Sequence, residues 1–443
     1  MSVKASFIAA PYSAYHHREV PAEDAELTHV GPGTPCGEYM RRFWQPVAFS
    51  AELKDLPIKI RILGEDLVIF RDRRGRVGLL ELHCAHRGTS LEFGLVSECG
   101  IRCCYHGWLF DVDGTVLETP GEPADSTFKN RLFQGAYPTH EHHGMVFAYL
   151  GPPDRKPAFP LLDTYDLPGY RCIAARRHHL PCNWLQVKEN AMDPAHLAFL
   201  HTIVSGAQFT PEFGILPPFE FPQTSCGMAY VAPRRVGENI WVRIGDFLPP
   251  NIHQFPPVWE DGKNEKVMSR PYMTIWAVPV DDTNTINTGY LHLPKDMEVD
   301  EQRMHRLIES FGQTGDRPYQ ERQRQPGDYD AQTTQRPIAI HAMERLASTD
   351  RGVIMLRRLV REGIRATAAG KDPFGVFMTP QPAIRTHCQD TVVRVPHAGS
   401  QEADKKLLIE TGRKVLDGHY IRNPPASVTE EMLHAVGFGA DRR

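Results

Sequence analysis

Two sets of residues in this chain have the types and the spacing to bind metal. Cys84-Ala85-His86 is followed by Cys103-Cys104-Tyr105-His106, and Asp193-Pro194-Ala195-His196 is followed by His201. The first set offers two thiolates and two imidazoles, which suits a cluster that passes one electron at a time. The second offers two imidazoles with carboxylates nearby, the ligand set of a mononuclear ferrous site that activates dioxygen. An electron store ahead of an oxygen-activating metal is the layout of an oxygenase, and both sites need elements able to hold them.

The spacings say what those elements must be. Cys84 and His86 are separated by one residue and Cys103 and His106 by two, which is short for a zinc finger, although a structural Cys2His2 zinc site is the plain alternative. Gly88 and Gly107 follow the two ligand loops and would let the backbone approach the sulfides of a cluster. Asp193 and His196 are three apart and share a face on a helix. His201, five further on, breaks that repeat, and Pro194 makes the start of the segment irregular. A bend or loosened turn between the two histidines is expected; a pair of core histidines is the plain alternative.

Residues 58 to 82 alternate in the strand period, with turns at Gly64-Glu65-Asp66 and Asp72-Arg73-Arg74-Gly75, and predict a small all-β domain. That domain closes with residues 144 to 150, and Gly151-Pro152-Pro153-Asp154 breaks the chain, so a boundary is expected at 155. Beyond it, a helix is predicted over 183 to 203, strands over 228 to 247 and 272 to 293, and helices over 300 to 312, 350 to 362 and 402 to 417. This pattern predicts an α+β domain with an antiparallel sheet flanked by helices. The expected division is 1–40 as an N-terminal segment wrapping onto the surface, 41–155 as the cluster domain and 156–443 as the iron-bearing catalytic domain.

Composition narrows the class. A net charge of −4 without a long basic run argues against nucleic acid as a partner, and no stretch approaches a membrane span or signal-peptide core. Nine cysteines spread unevenly do not form a disulfide framework, so a reducing, cytoplasmic compartment is expected. Cys36, Cys99, Cys104, Cys172, Cys182, Cys226 and Cys388 carry no spacing signal and are expected as buried small hydrophobes.

The elements C-x-H-R-G and C-x-x-H-G-W, at Cys84, His86, Arg87, Gly88, Cys103, His106, Gly107 and Trp108, resemble those of the Rieske non-haem iron oxygenases. The resemblance implies a [2Fe-2S] cluster on Cys84, His86, Cys103 and His106. Imidazole ligation of one iron makes such a cluster less negative and readier to accept an electron. The family usually has proline where Cys104 stands; taking Cys104 as the ligand would shorten its loop by one residue, so Cys103 is expected.

Asn190, Asp193, His196 and His201 resemble the family's N-x-x-D-x-x-H-x4-H element, which implies His196 and His201 as ligands of a mononuclear Fe(II) and Asn190 and Asp193 as catalytic residues. The family scheme has Asp193 bridge a metal-bound histidine to a cluster histidine (His86 or His106) of the partner subunit, a short path for an electron. A monomer is then incomplete, and a homotrimer is implied. Likeness to the phthalate-dioxygenase-like branch continues through residues 325 to 358 and implies Asp328 as the carboxylate ligand, counting back from Pro337-Ile338. The residues Thr333 to Arg336 depart from the usual pattern and leave Asp330 as a rival.

Members of that branch oxidise aromatic acids, either to cis-dihydrodiols or by O-demethylation. The expectation leans to O-demethylation of a methoxylated, lignin-derived aromatic acid, with phthalate-type cis-dihydroxylation as the alternative. Arg243, beside Trp241 on one face of a strand, is the candidate clamp for the substrate carboxylate, with Arg234-Arg235 in the same role and an internal salt bridge as the plain alternative. Phe209, Phe213, Phe247 and Phe255 are candidate pocket walls. No strand leads into a G-x-G-x-x-G turn, so electrons must come from a separate NAD(P)H-dependent reductase, directly or through a ferredoxin. Rival classes are an electron-transfer protein, which would need only the small β domain, and a zinc-stabilised binding protein.

Overall fold

The computed structural model describes residues 10–16, 19–257, 261–297 and 312–436. The helix expected over 300 to 312 lies almost wholly outside them.

The alternation Ile58-Lys59-Ile60-Arg61-Ile62 forms a strand, Ile58–Ile62, that pairs antiparallel with Glu65–Arg71 and onward with Val77–Glu81. Gly64, at φ +77°, makes the first turn in a conformation that a Cβ disfavours. A second small sheet, Leu95–Val96, Ile101–Arg102, Leu109–Phe110 and Val116–Glu118, stacks beside it, and a third joins Trp44–Phe49, Met145–Tyr149 and Thr139–His142. Each strand is short because its neighbours are ligand loops and tight turns. A core of Val68, Phe70, Leu80, Leu82, Ile101, Phe110 and Val116 fills the space between the first two sheets and also encloses Cys84 and Cys103.

The catalytic part is built on one eight-stranded antiparallel sheet. Its order runs Tyr170–Leu180, Asn284–Pro294, Met273–Asp281, Ile252–Phe255, Asn239–Leu248, Gln389–Arg394 and Lys266–Ser269, with Met228–Val236 also paired to Asn239–Leu248. Helices Trp184–Ala191 and Gln401–Leu416 pack on it, and Arg351–Ala368 packs against Trp184–Ala191 and the N-terminal helix Pro35–Met40. The α+β architecture expected from the sequence is therefore present. No helix among the described residues is long and apolar enough to cross a membrane.

Two local expectations take a more definite form. The N-terminal segment does more than wrap the surface: Leu27, Val30, Cys36, Tyr39 and Met40 are fully buried in the largest core. Tyr39 lies so close to Gly363 of the helix Arg351–Ala368 that a Cβ there would meet its ring at 2.4 Å. The helix predicted over 183 to 203 is broken. It runs Trp184–Ala191, stops, resumes as the single turn His196–Ala198, and widens into a π-helical turn, Phe199–Val204. Such turns re-aim side chains that regular α spacing would send apart.

Candidate metal centres

Both cysteine loops close by the same backbone pattern. The Cys84 amide donates to the Thr89 carbonyl (2.9 Å) and the Gly88 amide to the Cys84 carbonyl (2.8 Å); the Cys103 amide donates to Trp108 (2.8 Å) and the Gly107 amide to Cys103 (3.1 Å). Gly88 and Gly107 sit at φ +76° and +73°. A Cβ on Gly88 would meet no protein atom within 4 Å, and the left-handed turn by itself favours glycine there.

The loops place unlike groups at unlike depths. Cys84 and Cys103 are buried, whereas His86 and His106 stand exposed at the loop tips, ring centroids 4.6 Å apart. His86 stacks flat on Trp108 at 4.6 Å. Burial pushes the Cys84 thiol up to about 11, with the neighbouring Cys103 adding to the rise, while the amides of His86 and Arg87 aimed at its sulfur pull the other way. Two buried sulfurs, that of Cys84 accepting amide hydrogens, below two outward imidazoles fit a two-iron cluster, which the two thiolates and the two histidines would hold from opposite sides. They do not fit one tetrahedral zinc ion: the four ligand atoms are not among the sets that converge within 4.8 Å of one another in the described residues. Gln134, buried and unremarked in the sequence, braces the first loop by accepting from the Ala85 amide (2.7 Å) and donating to the carbonyls of Glu81 (2.8 Å) and His83 (3.0 Å). Cys104 is exposed, which corrects its expected burial: it shares the loop tip with Tyr105 and His106.

The second centre is built where the broken helix faces the short helix Asp328–Thr333. Nε2 of His196 and of His201 lie 3.6 and 3.2 Å from Oδ1 of Asp328, and the three side chains form one convergent set. The other nitrogen of each ring is tethered. Nδ1 of His196 donates to the Asp193 carbonyl, and Nδ1 of His201 donates to Oε1 of Gln208 (2.6 Å). Each tether fixes the tautomer that leaves an Nε2 lone pair facing the carboxylate. Asp328 is held in turn by Asn190 (Nδ2 to Oδ1, 3.2 Å) and by the amide of Gln313. The side chain of Gln186 ties the two helices together, donating to the carbonyls of Gln332 (2.9 Å) and Arg336 (3.1 Å) and accepting from Ala339 (2.9 Å). Two available imidazole nitrogens and one carboxylate fit a facial triad on ferrous iron.

Asp330 faces away. Its carboxylate caps the Gly327 amide (3.1 Å) and pairs with Arg322 (2.6 Å) and Arg317 (3.6 Å). The carboxylate of Asp193 accepts from the Ala195 amide (3.1 Å), so within one chain it is the backbone of this residue, not its side chain, that orients His196. A second convergent set, Glu189, His341 and Glu344, is filled by the Arg357 guanidinium, 2.5 Å from both carboxylates, and leaves no place for a cation.

Arg243 is not a free clamp, which corrects that expectation. It is buried, ion-paired with Asp390 (3.2 Å), and donates to the carbonyls of Pro256 (3.1 Å) and Pro257 (2.8 Å). The neighbouring strand's acid and these two carbonyls occupy its guanidinium. Of the candidate wall residues, Phe209 lies against His201 (4.9 Å) with Phe213 behind it (6.1 Å); Phe247 is core and Phe255 meets His253 edge to face (4.3 Å). Gln208 and Gln313 escaped sequence reading because neither stands at a spacing that marks a ligand partner.

Comparison with known proteins gives the same two parts. The family described as Rieske [2Fe-2S] domain matches residues 43–134, and that described as Vanillate O-demethylase oxygenase C-terminal domain matches residues 180–366. The chain is 43% identical to the tert-butanol monooxygenase / tert-amyl alcohol desaturase oxygenase subunit of Aquincola tertiaricarbonis, over 91% of this chain and 90% of that one. It is 40% identical to the phenoxybenzoate dioxygenase subunit alpha of Ectopseudomonas oleovorans, over 84% and 92%. In fold it is similar to a caffeine-bound NdmA mutant of Pseudomonas putida CBB5, with TM-score 0.60 and 19% identity over 79% of this chain and all of that one.

Proposed function

This chain belongs to the Rieske non-haem iron oxygenases, as an oxygenase alpha subunit, and on that premise we propose that it hydroxylates an aromatic acid at an iron held by His196, His201 and Asp328. The observation that carries the assignment of the ligands is the convergence of two tethered imidazoles on one carboxylate. When bound, the family's [2Fe-2S] cluster and mononuclear iron supply stored electrons and the activation of dioxygen. What the chain itself contributes is placement. Cys84 and Cys103, buried, and His86 and His106, exposed, would hold the cluster. Asn190 and Gln313 hold the Asp328 carboxylate against the two histidines.

The cluster domain is assigned to residues 41–155 and the iron domain to 156–443. Asp193 is assigned as the bridge to a cluster histidine of the partner subunit in a homotrimer, which its position beside His196 and the exposure of His86 and His106 support. Electrons come from a separate NAD(P)H-dependent reductase, directly or through a ferredoxin, as in this family.

For the reaction itself, O-demethylation of a methoxylated aromatic acid is favoured by the match to the vanillate O-demethylase C-terminal domain. A second reading, cis-dihydroxylation of the ring, is favoured by the 40% identity to the phenoxybenzoate dioxygenase subunit. Product mass separates them. Reduced, iron-replete protein is given dioxygen and a panel of methoxylated aromatic acids and phthalates. Loss of a methylene with release of formaldehyde supports the first, and gain of two oxygens and two hydrogens supports the second. Return of every acid unchanged, with no dioxygen consumed, removes both.

A further inference from the structure

The cluster domain and the catalytic sheet do not close on each other completely. Between them lies a cavity with walls from both: Trp44 and Phe147 on one side, Ile252 and Trp276 on the other. Phe159 and Tyr165, from the segment that joins the two parts, complete it. Seams of this kind are common places for small-molecule sites.

The cavity is separate from the iron centre. Ile252 and Trp276 are paired across adjacent strands and both line it. The next residue, His253, meets Lys188 of the helix Trp184–Ala191 instead. Neighbouring side chains leave a strand on opposite faces, so the sheet stands between this cavity and the helix that leads into the iron ligands.

Its chemistry excludes charge. None of the lining residues is Asp, Glu, Lys, Arg or His, and an ion placed there would lose its water with nothing in return. Trp44 spends its indole N–H on the Pro157 carbonyl (3.1 Å). Tyr165 and Trp276, 3% and 2% exposed, stand in the wall without a side-chain hydrogen bond among the described residues. A guest there is neutral, and two donors can meet an oxygen on it.

The shape selects a ring. Phe147 meets Phe159 at 4.9 Å and Trp276 at 5.6 Å, and Trp44 meets Phe159 at 6.0 Å, all edge to face. A wall of such rings offers both edges and faces to one more aromatic group. The volume open to the centre of a water-sized sphere is about 40 Å³, room for about three waters, or for one benzene-sized ring at ~30 Å³ of liquid per water.

We propose that this cavity binds a neutral, single-ring aromatic molecule, at a site distinct from the iron centre. Because the walls belong to both parts of the chain, the occupant ties the cluster domain to the catalytic sheet and stabilises the folded protein by mass action. The proposal goes beyond the oxygenase reading and does not depend on which reaction the iron performs.

Bromobenzene and 4-bromobenzoate, soaked separately into crystals of the iron-replete oxygenase, test it through the anomalous signal of bromine. Bromobenzene is expected among Trp44, Phe147, Phe159 and Trp276, and 4-bromobenzoate is expected to be missing from that place. In solution, fluorobenzene binding is followed by fluorine NMR. Val376 lines the cavity and packs against the core, so Val376→Phe puts a ring where the guest would lie. It is expected to weaken fluorobenzene binding about tenfold or more, with Fe(II) content and cluster spectrum unchanged. If that variant does not fold, the crystals of the unaltered protein decide. Bromine only at the iron centre, or nowhere, overturns the proposal. So does 4-bromobenzoate filling the cavity as fully as bromobenzene, or fluorobenzene affinity unchanged in Val376→Phe. Bromine in the cavity without saturable binding in solution is binding at crystal concentration only, and overturns it too.

Discussion

At the scale of single residues, the iron site depends on groups that never touch the metal position. A histidine ring swings freely about its side-chain bonds, and a hydrogen bond at Nδ1 removes that freedom and sets the tautomer. Gln208 does this for His201 twice over, since its own amide also donates to the His201 carbonyl (3.0 Å). Gln208→Ala is expected to weaken Fe(II) binding about 10–100-fold, measured by competition with a chelator, while the visible spectrum of the cluster stays unchanged. Binding equal to the unaltered protein would show that the tether is idle. The two neighbouring aspartates separate in the same assay. Asp328→Ala is expected to lose the mononuclear iron. Asp330→Ala is expected to keep it and lose about 1 kcal/mol of stability, because its carboxylate caps a helix. Iron loss in both variants, or in neither, would contradict the assignment.

At the scale of elements, the broken helix and the ion pairs beneath it decide whether these residues meet. Five residues along a regular α-helix turn a side chain well off its starting face; the π turn at Phe199–Val204 brings His201 back toward His196. The helix Trp184–Ala191 is pinned from the other side by Arg357, whose guanidinium joins Glu189 to Glu344. Burial pushes the Glu189 carboxyl up to about 7 against the pull of Arg357. Arg357→Met strands two partly or fully buried carboxylates and is expected to cost about 3 kcal/mol at pH 8 in chemical denaturation. The cost should shrink at pH 6, where Glu189 takes up a proton and ceases to be a buried charge. A loss that is the same at both pH values would mean that Glu189 stays ionised without its partner.

At the scale of the whole molecule, stability and assembly follow from the large sheet and from the exposed loop tips. His292 is buried in the strand Asn284–Pro294, bonded through Nε2 to Thr274 (2.8 Å), and burial with the nearby Arg270 lowers its pKa to about 3. Its folded pKa is below the unfolded value, so the stability it contributes is complete above about pH 6.5 and is lost as pH falls toward 3. The expected slope is about 1.4 kcal/mol per pH unit across that window, and His292→Gln should flatten it. An unchanged slope would assign the acid sensitivity elsewhere. For assembly, light scattering is expected to give three times the 50.1 kDa chain mass. Asp193→Ala is expected to keep cluster spectrum and iron but to lose nearly all coupled turnover; full turnover would remove the bridge.

The chemistry of the cluster site was legible because it is local. Cys84, His86, Cys103 and His106 lie in two loops whose backbone bonds close within six residues, so the spacing marked a metal-binding set and the family resemblance, carried by the same short motifs, implied the cluster. The strands from Ile58 to Glu81 were legible for the same reason, since alternation is a property of neighbours. Asp193, His196 and His201 also announced themselves, along with a distortion between the histidines, though not that it would be a π turn. What remained was decided by contacts across long stretches of chain. Asp328 rather than Asp330 faces the histidines because Gln186 sets how one helix lies against another. Arg243 is spent because Asp390 arrives from a strand almost 150 positions away. A sequence lists which charges and donors exist; only the packed chain determines which of them are already satisfied.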